Sequence, residues 1–346
     1  MLIDVIVPVY NAAAYIEKFF DLVEPQADRE VRFLFVDDGS KDTSLQILQD
    51  CAAKATFPTE ILHQENTGVS GARNLGIEHA TASYITFFDI DDVMSTDYVS
   101  VLKKTALQND FEVFVFASKR VHAEHIELEK PKATTDYQQL TATEELQRFL
   151  ADPTRLGVVN LLIQRDYISR VQTRFAVGYK YYEDYDFIYR IFSDATSILV
   201  TSTVLYYYVQ REGSAMSRFT ADRITCLQLM KNLEPWLKER VPEFFPTFQQ
   251  WGCARLYWSV LWQAALGFQN FKDFKAFADR TEAKTLLKKL KGFPDTVLQA
   301  STRLYLCSPW LYWLAVRMVG RKKSEVASAN LEEILQQIDA AKNLEK

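Results

Sequence analysis

Apolar positions come in short blocks early in the chain and in long helical stripes later. Leu2–Val9 is apolar apart from Asp4, as expected of a strand buried on both faces. Ala12–Val23 follows with Tyr15, Ile16, Phe19, Phe20 and Val23 at helical spacing. Val31–Val36 reads as a second strand, Asp42–Ala53 as a helix and Glu60–His63 as a short strand. Gly71–Ala80 is helical, with Ser70 placed as its N-cap. Tyr84–Phe88 is a strand, Thr96–Leu107 a helix and Glu112–Ala117 a fifth strand. Alternation at this pitch predicts an α/β fold, with a mostly parallel sheet covered by helices on both faces.

The pattern breaks over 118–140, where polar Lys119–Lys132 reads as a loop or hairpin insertion. Strand and helix candidates then resume and end in Val204–Val209. From Thr220 onward the periodicity is almost wholly helical, punctuated by Pro242, Pro294 and Pro309. The expected organisation is an α/β domain over residues 1–218 and a helical domain over 219–346. Aromatic residues of 251–268 sit at helical spacing and read as core or interface rather than as a sugar platform.

Composition narrows the class. A chain of 346 residues that is 48% hydrophobic is too apolar for disorder and long enough for a sizeable core. A net charge of -5 gives no electrostatic footprint for nucleic acid. Cys51, Cys226, Cys253 and Cys307 form no CxxC pair, which excludes a cysteine zinc site and argues for a reduced, cytoplasmic protein. His122 and His125 form HxxH outside any helical pattern and lack the glutamate of a zinc motif. Residues 2–9 lack the flanks of a signal peptide, and apolar Leu304–Val316 is too short to span a bilayer. The wider stretch 303–323 mixes aromatic and aliphatic residues and ends in Arg321-Lys322-Lys323. It suits peripheral contact with an anionic membrane, a buried helix with a cationic last turn, or a homodimer interface.

In open parallel sheets, ligands bind beyond the carboxyl ends of the strands. Polar residues collect there three times: Pro8-Val9-Tyr10-Asn11, Asp37-Asp38-Gly39-Ser40 with Asp42, and Asp89-Ile90-Asp91-Asp92. Asp37, Asp38 and Asp42 suit helix caps as well as ligands. The triple-carboxylate cluster at 89–92 repels itself unless a positive charge intervenes. Hard oxygen ligands suit Mg²⁺ or Mn²⁺, completed by water and substrate phosphates, so a metal–diphosphate site is expected; a solvated acidic turn is the alternative. Asn66-Thr-Gly-Val-Ser-Gly-Ala-Arg73-Asn74 leads into a helix, where Arg73 and the helix N-terminus attract an anion. It matches neither GxxxxGK[ST] nor GxGxxG.

Four motifs occur in order: Val5-Ile-Val-Pro-Val-Tyr-Asn11, Val36-Asp-Asp-Gly-Ser-Lys-Asp42, Gln64 to Gly76, and Phe88-Asp-Ile-Asp-Asp92. Together they resemble family-2 glycosyltransferases of the GT-A fold. The resemblance covers roughly the first 100 residues and is specific as an ordered set. It implies that Pro8, Tyr10 and Asp38 hold the nucleotide base, usually uracil, with Asn11 beside them. Arg73 then lies near base and phosphates, Asp89 contacts the ribose, and Asp91 helps to hold Mg²⁺ or Mn²⁺, with Asp89 and Asp92 as further metal candidates.

Inverting transfer needs a carboxylate to take the acceptor's proton. Tyr182-Glu183-Asp184-Tyr185 matches the family's Glu-Asp pair, which implies Asp184 as base and Glu183 as its neighbour. An acidic first turn favoured by the helix dipole is the plainer reading. Arg211 to Ser217 follows the last strand candidate; the resemblance implies that Arg211 and Ser214 close over the diphosphate, and a plain exposed interdomain loop is the alternative. The resemblance thus implies transfer of a hexose or N-acetylhexosamine from a nucleotide-diphospho-sugar, with UDP foremost, to an acceptor hydroxyl on a lipid or protein carrier. The rivals are a sugar nucleotidyltransferase, whose glycine-rich basic loop Pro8–Ala14 lacks, and a non-catalytic glycan- or protein-binding scaffold.

Overall fold

The computed structural model describes residues 1–124, 126, 128, 136–211, 219–220, 222–320, 330–332, 334–336 and 338, with the side chains of 225 and 226 excepted. Ser214 and His125 lie outside the described residues, as do 321–323. The chain divides into two compact units. The first comprises Met1–Phe149, Pro153–Gly178 and Glu183–Arg211; the second comprises Leu150–Asp152, Tyr179–Tyr182 and Glu212–Lys346.

The first unit opens as the hydrophobic pattern requires: β1 (Ile3–Val9), α1 (Ala13–Val23), β2 (Val31–Asp37), α2 (Ser44–Ala52), β3 (Thr59–His63), α3 (Val69–His79) and β4 (Tyr84–Phe87). Strands β3, β2, β1 and β4 lie side by side and parallel. One core packs α1 on this sheet through aromatic rings. Phe19 meets Phe33, Phe35 and Phe88 edge-on at 5.5–5.8 Å, a geometry that aromatic quadrupoles favour.

Beyond β4 the sheet, expected to be mostly parallel, becomes mixed. After β5 (Val93–Met94) and α4 (Tyr98–Gln108) come β6 (Val113–His122), β7 (Gln138–Leu140), α5 (Ala142–Ala151) and β8 (Leu161–Gln164). Then follow α6 (Arg165–Val171), α7 (Glu183–Ser193) and β9 (Ile198–Gln210). Strand β8 inserts between β4 and β6 and runs antiparallel to both. The result is a mixed nine-stranded sheet of order β3-β2-β1-β4-β8-β6-β9-β5, with β7 on β9. Strand β6 also continues beyond Ala117 to His122, into the stretch expected to be a loop or hairpin insertion. Lys119 and Arg120 face solvent while Val121 packs on Tyr207 and Val209 of parallel β9. A half-exposed strand tolerates polar residues on one face.

The second unit, described by itself, is helical: α8 (Asp222–Arg240), α9 (Phe245–Gly267), α10 (Phe271–Arg280), α11 (Ala283–Lys288), α12 (Thr296–Cys307) and α13 (Pro309–Gly320). Buried Phe274, Tyr305 and Tyr312 make ring contacts within it. Among the described residues, no helix is long and apolar enough to cross a membrane.

The one charge in β1 is structural. Fully buried Asp4 accepts two hydrogen bonds from Arg32 and the backbone N–H groups of Thr81 and Ala82, each at 2.8–2.9 Å. It thereby ties β2 and the approach to β4 onto β1. Removing one partner of a buried pair leaves the other charge uncompensated. Asp4→Ala is therefore expected to lower unfolding free energy by about 3–5 kcal/mol, measured by chemical denaturation.

Candidate active site

The register pairs Val9 with Asp37, and Asp37 with His63, so the carboxyl ends of β1, β2 and β3 are level. The loops that leave them meet at one edge. Asn11 adopts a left-handed backbone (φ 48°), which asparagine tolerates better than most residues. Its N–H donates to Ser40 Oγ (3.0 Å) and its side-chain oxygen accepts from the Lys41 N–H (2.7 Å). The Ala12 N–H donates to Ser44 Oγ (2.7 Å). Asp42 accepts from both N–H and hydroxyl of Ser44, so it closes its own turn just before the Thr43 N-cap of α2. Pro8 is partly exposed and Tyr10 stands 49% exposed beside this clamp.

Asp38 is 2% exposed, and both its oxygens are engaged. Oδ1 accepts from Gln64 Nε2 (2.6 Å) and the Thr67 N–H (2.9 Å), and Oδ2 accepts from the Gly68 N–H (2.8 Å). The carboxylate thus builds the turn that starts α3. Gly68 needs its positive φ of 85° there. Gly76, two turns on, lets α3 approach β1, because a Cβ would sit 2.4 Å from Ile6 Cγ2. The turn and this close contact together aim Arg73.

Arg73 is 5% exposed. Its Nη2 donates to Asp89 Oδ1 (2.9 Å), and Nη1 lies 3.8 Å from Glu183 Oε1. Its guanidinium sits over the Phe175 ring, 5.3 Å from the centroid. Burial works against its charge, but Asp89 and Glu183 more than offset this and hold it protonated.

Strand β4 delivers the acidic cluster. Asp91 Oδ2 accepts from Arg211 Nη1 at 2.6 Å, and Arg211 lies over the Tyr15 ring at 4.8 Å. Burial and the Asp89 charge push the Asp91 carboxyl up, and Arg211 pulls it down. Asp92 differs from its neighbours. At 4% exposure, it accepts from the Tyr206 hydroxyl and from the Val209 N–H (2.8 Å). Burial, then Asp89, pushes its carboxyl up to about 7. Asp92 fastens β9 to the cluster and so carries Arg211 to Asp91. Among the described residues, no three His, Cys, Asp or Glu side chains form a ready metal cage.

Helix α7 begins at Glu183, straight after Tyr182 turns the chain with φ 64°, an uncommon conformation for a bulky residue. Its first turn holds three acids with different partners. Asp186 pairs with Arg190 one turn on (2.9 Å), as a structural role would have it. Glu183 is buried, faces Arg73, and is pushed up by that burial. Asp184 is also pushed up, first by burial and then by the Glu183 charge, while Arg73 opposes. The structure therefore brings Arg73, Asp89, Glu183 and Asp184 into one electrostatic group, with Asp91 and Arg211 coupled to it through the Asp89 charge.

Two residues essential to this grouping carried no expectation of their own. The Asn74 side chain donates to the Phe175 carbonyl (2.9 Å) and accepts from the Phe175 N–H (2.8 Å). Phe175 then stacks on Phe187 of α7 at 4.0 Å with parallel planes and meets Phe87 of β4 edge-on. One amide thus locks 101 positions of sequence separation and sets α7 against α3. Asn74 stood within a motif; nothing near Phe175 announces it.

Residues 4–168 match the model of glycosyl transferase family 2. Over 220 residues the chain is 30% identical to the uncharacterized glycosyltransferase EpsJ of Bacillus subtilis, covering 62% of each protein. Over 115 residues it is 37% identical to glycosyltransferase GlyA of Streptococcus pneumoniae, covering 33% of this chain and 16% of that protein. The chain thus spans less than two thirds of these relatives. Among solved structures, S. aureus TarS 1–349 in complex with UDP-GlcNAc shares the fold, with TM-score 0.62, 18% identity and coverage of 94% and 93%. Mannosyltransferase PcManGT of Pyrobaculum calidifontis, solved with GDP-Man and Mn²⁺, matches with TM-score 0.52, 17% identity and coverage of 93% and 87%.

Asn74→Ala leaves two backbone groups of Phe175 without their partner. At about 1–3 kcal/mol for such a loss, the Phe175 amide is expected to exchange hydrogen roughly 10- to 100-fold faster. Native-state exchange read by mass spectrometry checks this, with a distant α1 amide as the unchanged control.

Proposed function

From the match of residues 4–168 to the model of glycosyl transferase family 2, we propose that the protein is an inverting glycosyltransferase using a nucleotide-diphospho-sugar. The carrying observation is the pairing of an acidic cluster after β4 with a second carboxylate pair on α7, joined through one buried arginine. Two carboxylate groups in different surroundings are what leaving-group stabilisation and proton removal demand. UDP-N-acetylglucosamine is the first donor to try, because TarS of the same fold is solved with it.

The nucleoside side is assigned to Pro8, Tyr10 and Asn11, around the turn that Asp38 shapes. Arg73 and Asp89 are assigned to the ribose and phosphate side and Arg211 to the diphosphate; Ser214, outside the described residues, keeps only the phosphate role that the family resemblance implies. Asp91, with Asp89, fits Mg²⁺ or Mn²⁺: both are hard, partly exposed carboxylates (42% and 35%) whose mutual repulsion a cation relieves. Such an ion takes few protein ligands and completes its shell with phosphate oxygens, and it would stabilise charge on the departing diphosphate. Asp92 is assigned a bracing role rather than ligation, since both its oxygens already accept hydrogen bonds from β9.

Asp184 is assigned as the base. In this reading its carboxylate takes the proton of the acceptor hydroxyl, its basicity raised first by burial and then by the like charge of Glu183. The acceptor is a hydroxyl-bearing glycan on a lipid or protein carrier. Exposed Trp310, Leu311, Met318 and Val319 on α13 favour contact of the second unit with a membrane surface. The nucleotidyltransferase alternative is disfavoured because the turn after β1 carries no glycine-rich basic loop.

Turnover of UDP-N-acetylglucosamine to UDP, with Mn²⁺, tests the assignment. Asp184→Asn is expected to bind UDP within about twofold of the parent yet lose roughly 10²–10⁴ in kcat, the usual contribution of a general base. Near-parental turnover would remove Asp184 from the role, and no UDP binding by the parent would remove the donor class.

The pH profile carries a second expectation. A base works deprotonated, so a raised carboxyl places the acid limb of kcat/KM above the ordinary aspartate value of 3.8. Glu183→Gln deletes the repelling charge, lowers the Asp184 carboxyl and shifts that limb to lower pH. An unmoved or upward-moved limb contradicts the coupling.

A further inference from the structure

The Arg211–Asp91 pair stands where the proposed cation site needs an open carboxylate. Asp91 Oδ2 accepts from Arg211 Nη1 at 2.6 Å, and the same nitrogen lies 3.9 Å from Asp92 Oδ1. The arginine is held from three further sides. Its ring partner is Tyr15 of α1, its Nη1 reaches the Val209 carbonyl at 3.4 Å, and Asp92 anchors the same stretch of β9 through the Val209 N–H. The side chain is 23% exposed. A guanidinium so placed is a counter-charge built into the strand end.

We infer that Arg211 is a resident stand-in for the metal, occupying Asp91 until a nucleoside diphosphate draws it away. The inference rests on the metal–diphosphate reading above. The physical argument is competition. Asp91 lies beside Asp89 and Asp92 and needs a positive neighbour whether or not metal is bound. A divalent ion arriving alone must displace Arg211 and gains few protein ligands in return. A diphosphate changes both terms. Its oxygens accept from a guanidinium in a fork geometry that suits arginine, and they complete the metal shell. Metal and nucleotide then bind with positive coupling, and each raises the affinity of the other by the same factor. Part of that coupling resides in one side chain.

The distinguishing consequence is opposite signs in one variant. Arg211→Gln removes the competitor for Asp91, so Mn²⁺ alone should bind more tightly, by about fivefold for an ion pair of this exposure. The same change removes a phosphate partner, so UDP should bind more weakly and should raise Mn²⁺ affinity less than in the parent. Arg211→Lys keeps the charge and should stay near the parent in Mn²⁺ affinity. The readout is free Mn²⁺ by electron paramagnetic resonance on the full chain, titrated with and without UDP, which needs no turnover. Thermal unfolding confirms that each variant is folded. Equal or weaker Mn²⁺ binding by Arg211→Gln without UDP overturns the stand-in. A parent chain that binds UDP but no Mn²⁺ overturns the metal site itself, and the stand-in with it.

Discussion

One buried cation organises the first unit. Arg73 is nearly sealed from solvent, and a guanidinium in that position must be paired or it is not tolerated. Its partners come from two separate elements: Asp89 from the end of β4 and Glu183 from the start of α7. The same charge is therefore satisfied only when the end of β4 and the start of α7 are assembled around it. Everything that aims Arg73 serves this end. Asp38 builds the turn into α3, Gly76 lets α3 close on β1, and Asn74 secures the Phe175 ring beneath the guanidinium.

The acidic edge follows the same rule of charge balance on a second cation. Three carboxylates crowd after β4, and the structure gives each a different fate. Asp89 answers Arg73, Asp91 answers Arg211, and Asp92 turns inward to the Tyr206 hydroxyl and the β9 backbone. Only the first two keep appreciable exposure. That partition explains how a repelling cluster is accommodated, and why its members are not interchangeable. A carboxylate whose oxygens both face N–H and O–H donors from the protein is a structural brace, whatever the spacing of the motif suggests.

Much of this was legible in the chain. The alternation of apolar blocks located β1, α1, β2, α2, β3, α3 and β4, because strands buried on both faces and amphipathic helices leave different periods. Level strand ends then made the polar residues after β1, β2 and β4 neighbours. The pattern was silent where partners are distant or where a period is short. Four-residue β8 reads like any apolar stretch, so its antiparallel insertion between β4 and β6 had no local signature. Polar Lys119 and Arg120 disguised the outer half of β6. Asn74 and Phe175 are joined by geometry alone. Nor does a one-letter code say how many hydrogen bonds a carboxylate already accepts, which is what separates Asp38 and Asp92 from Asp91.

The two acids at the start of α7 show why environment rather than residue type assigns roles. Helix-dipole preference explains acidic residues in a first turn, and Asp186, paired one turn on with Arg190, needs nothing more. It does not explain setting half-buried Asp184 beside buried Glu183, whose charge raises the cost of ionising Asp184. Arg73 offsets part of that cost, more for Glu183, with which it forms an ion pair, than for Asp184. The pair is therefore asymmetric: one carboxylate is held by a cation, and its neighbour is left basic beside it. An arrangement that served only stability would have separated the two acids or supplied a second cation. Placing the two side by side with a single shared arginine instead leaves Asp184 with a raised affinity for a proton, beside the Arg73–Asp89 pair at the carboxyl edge of the sheet.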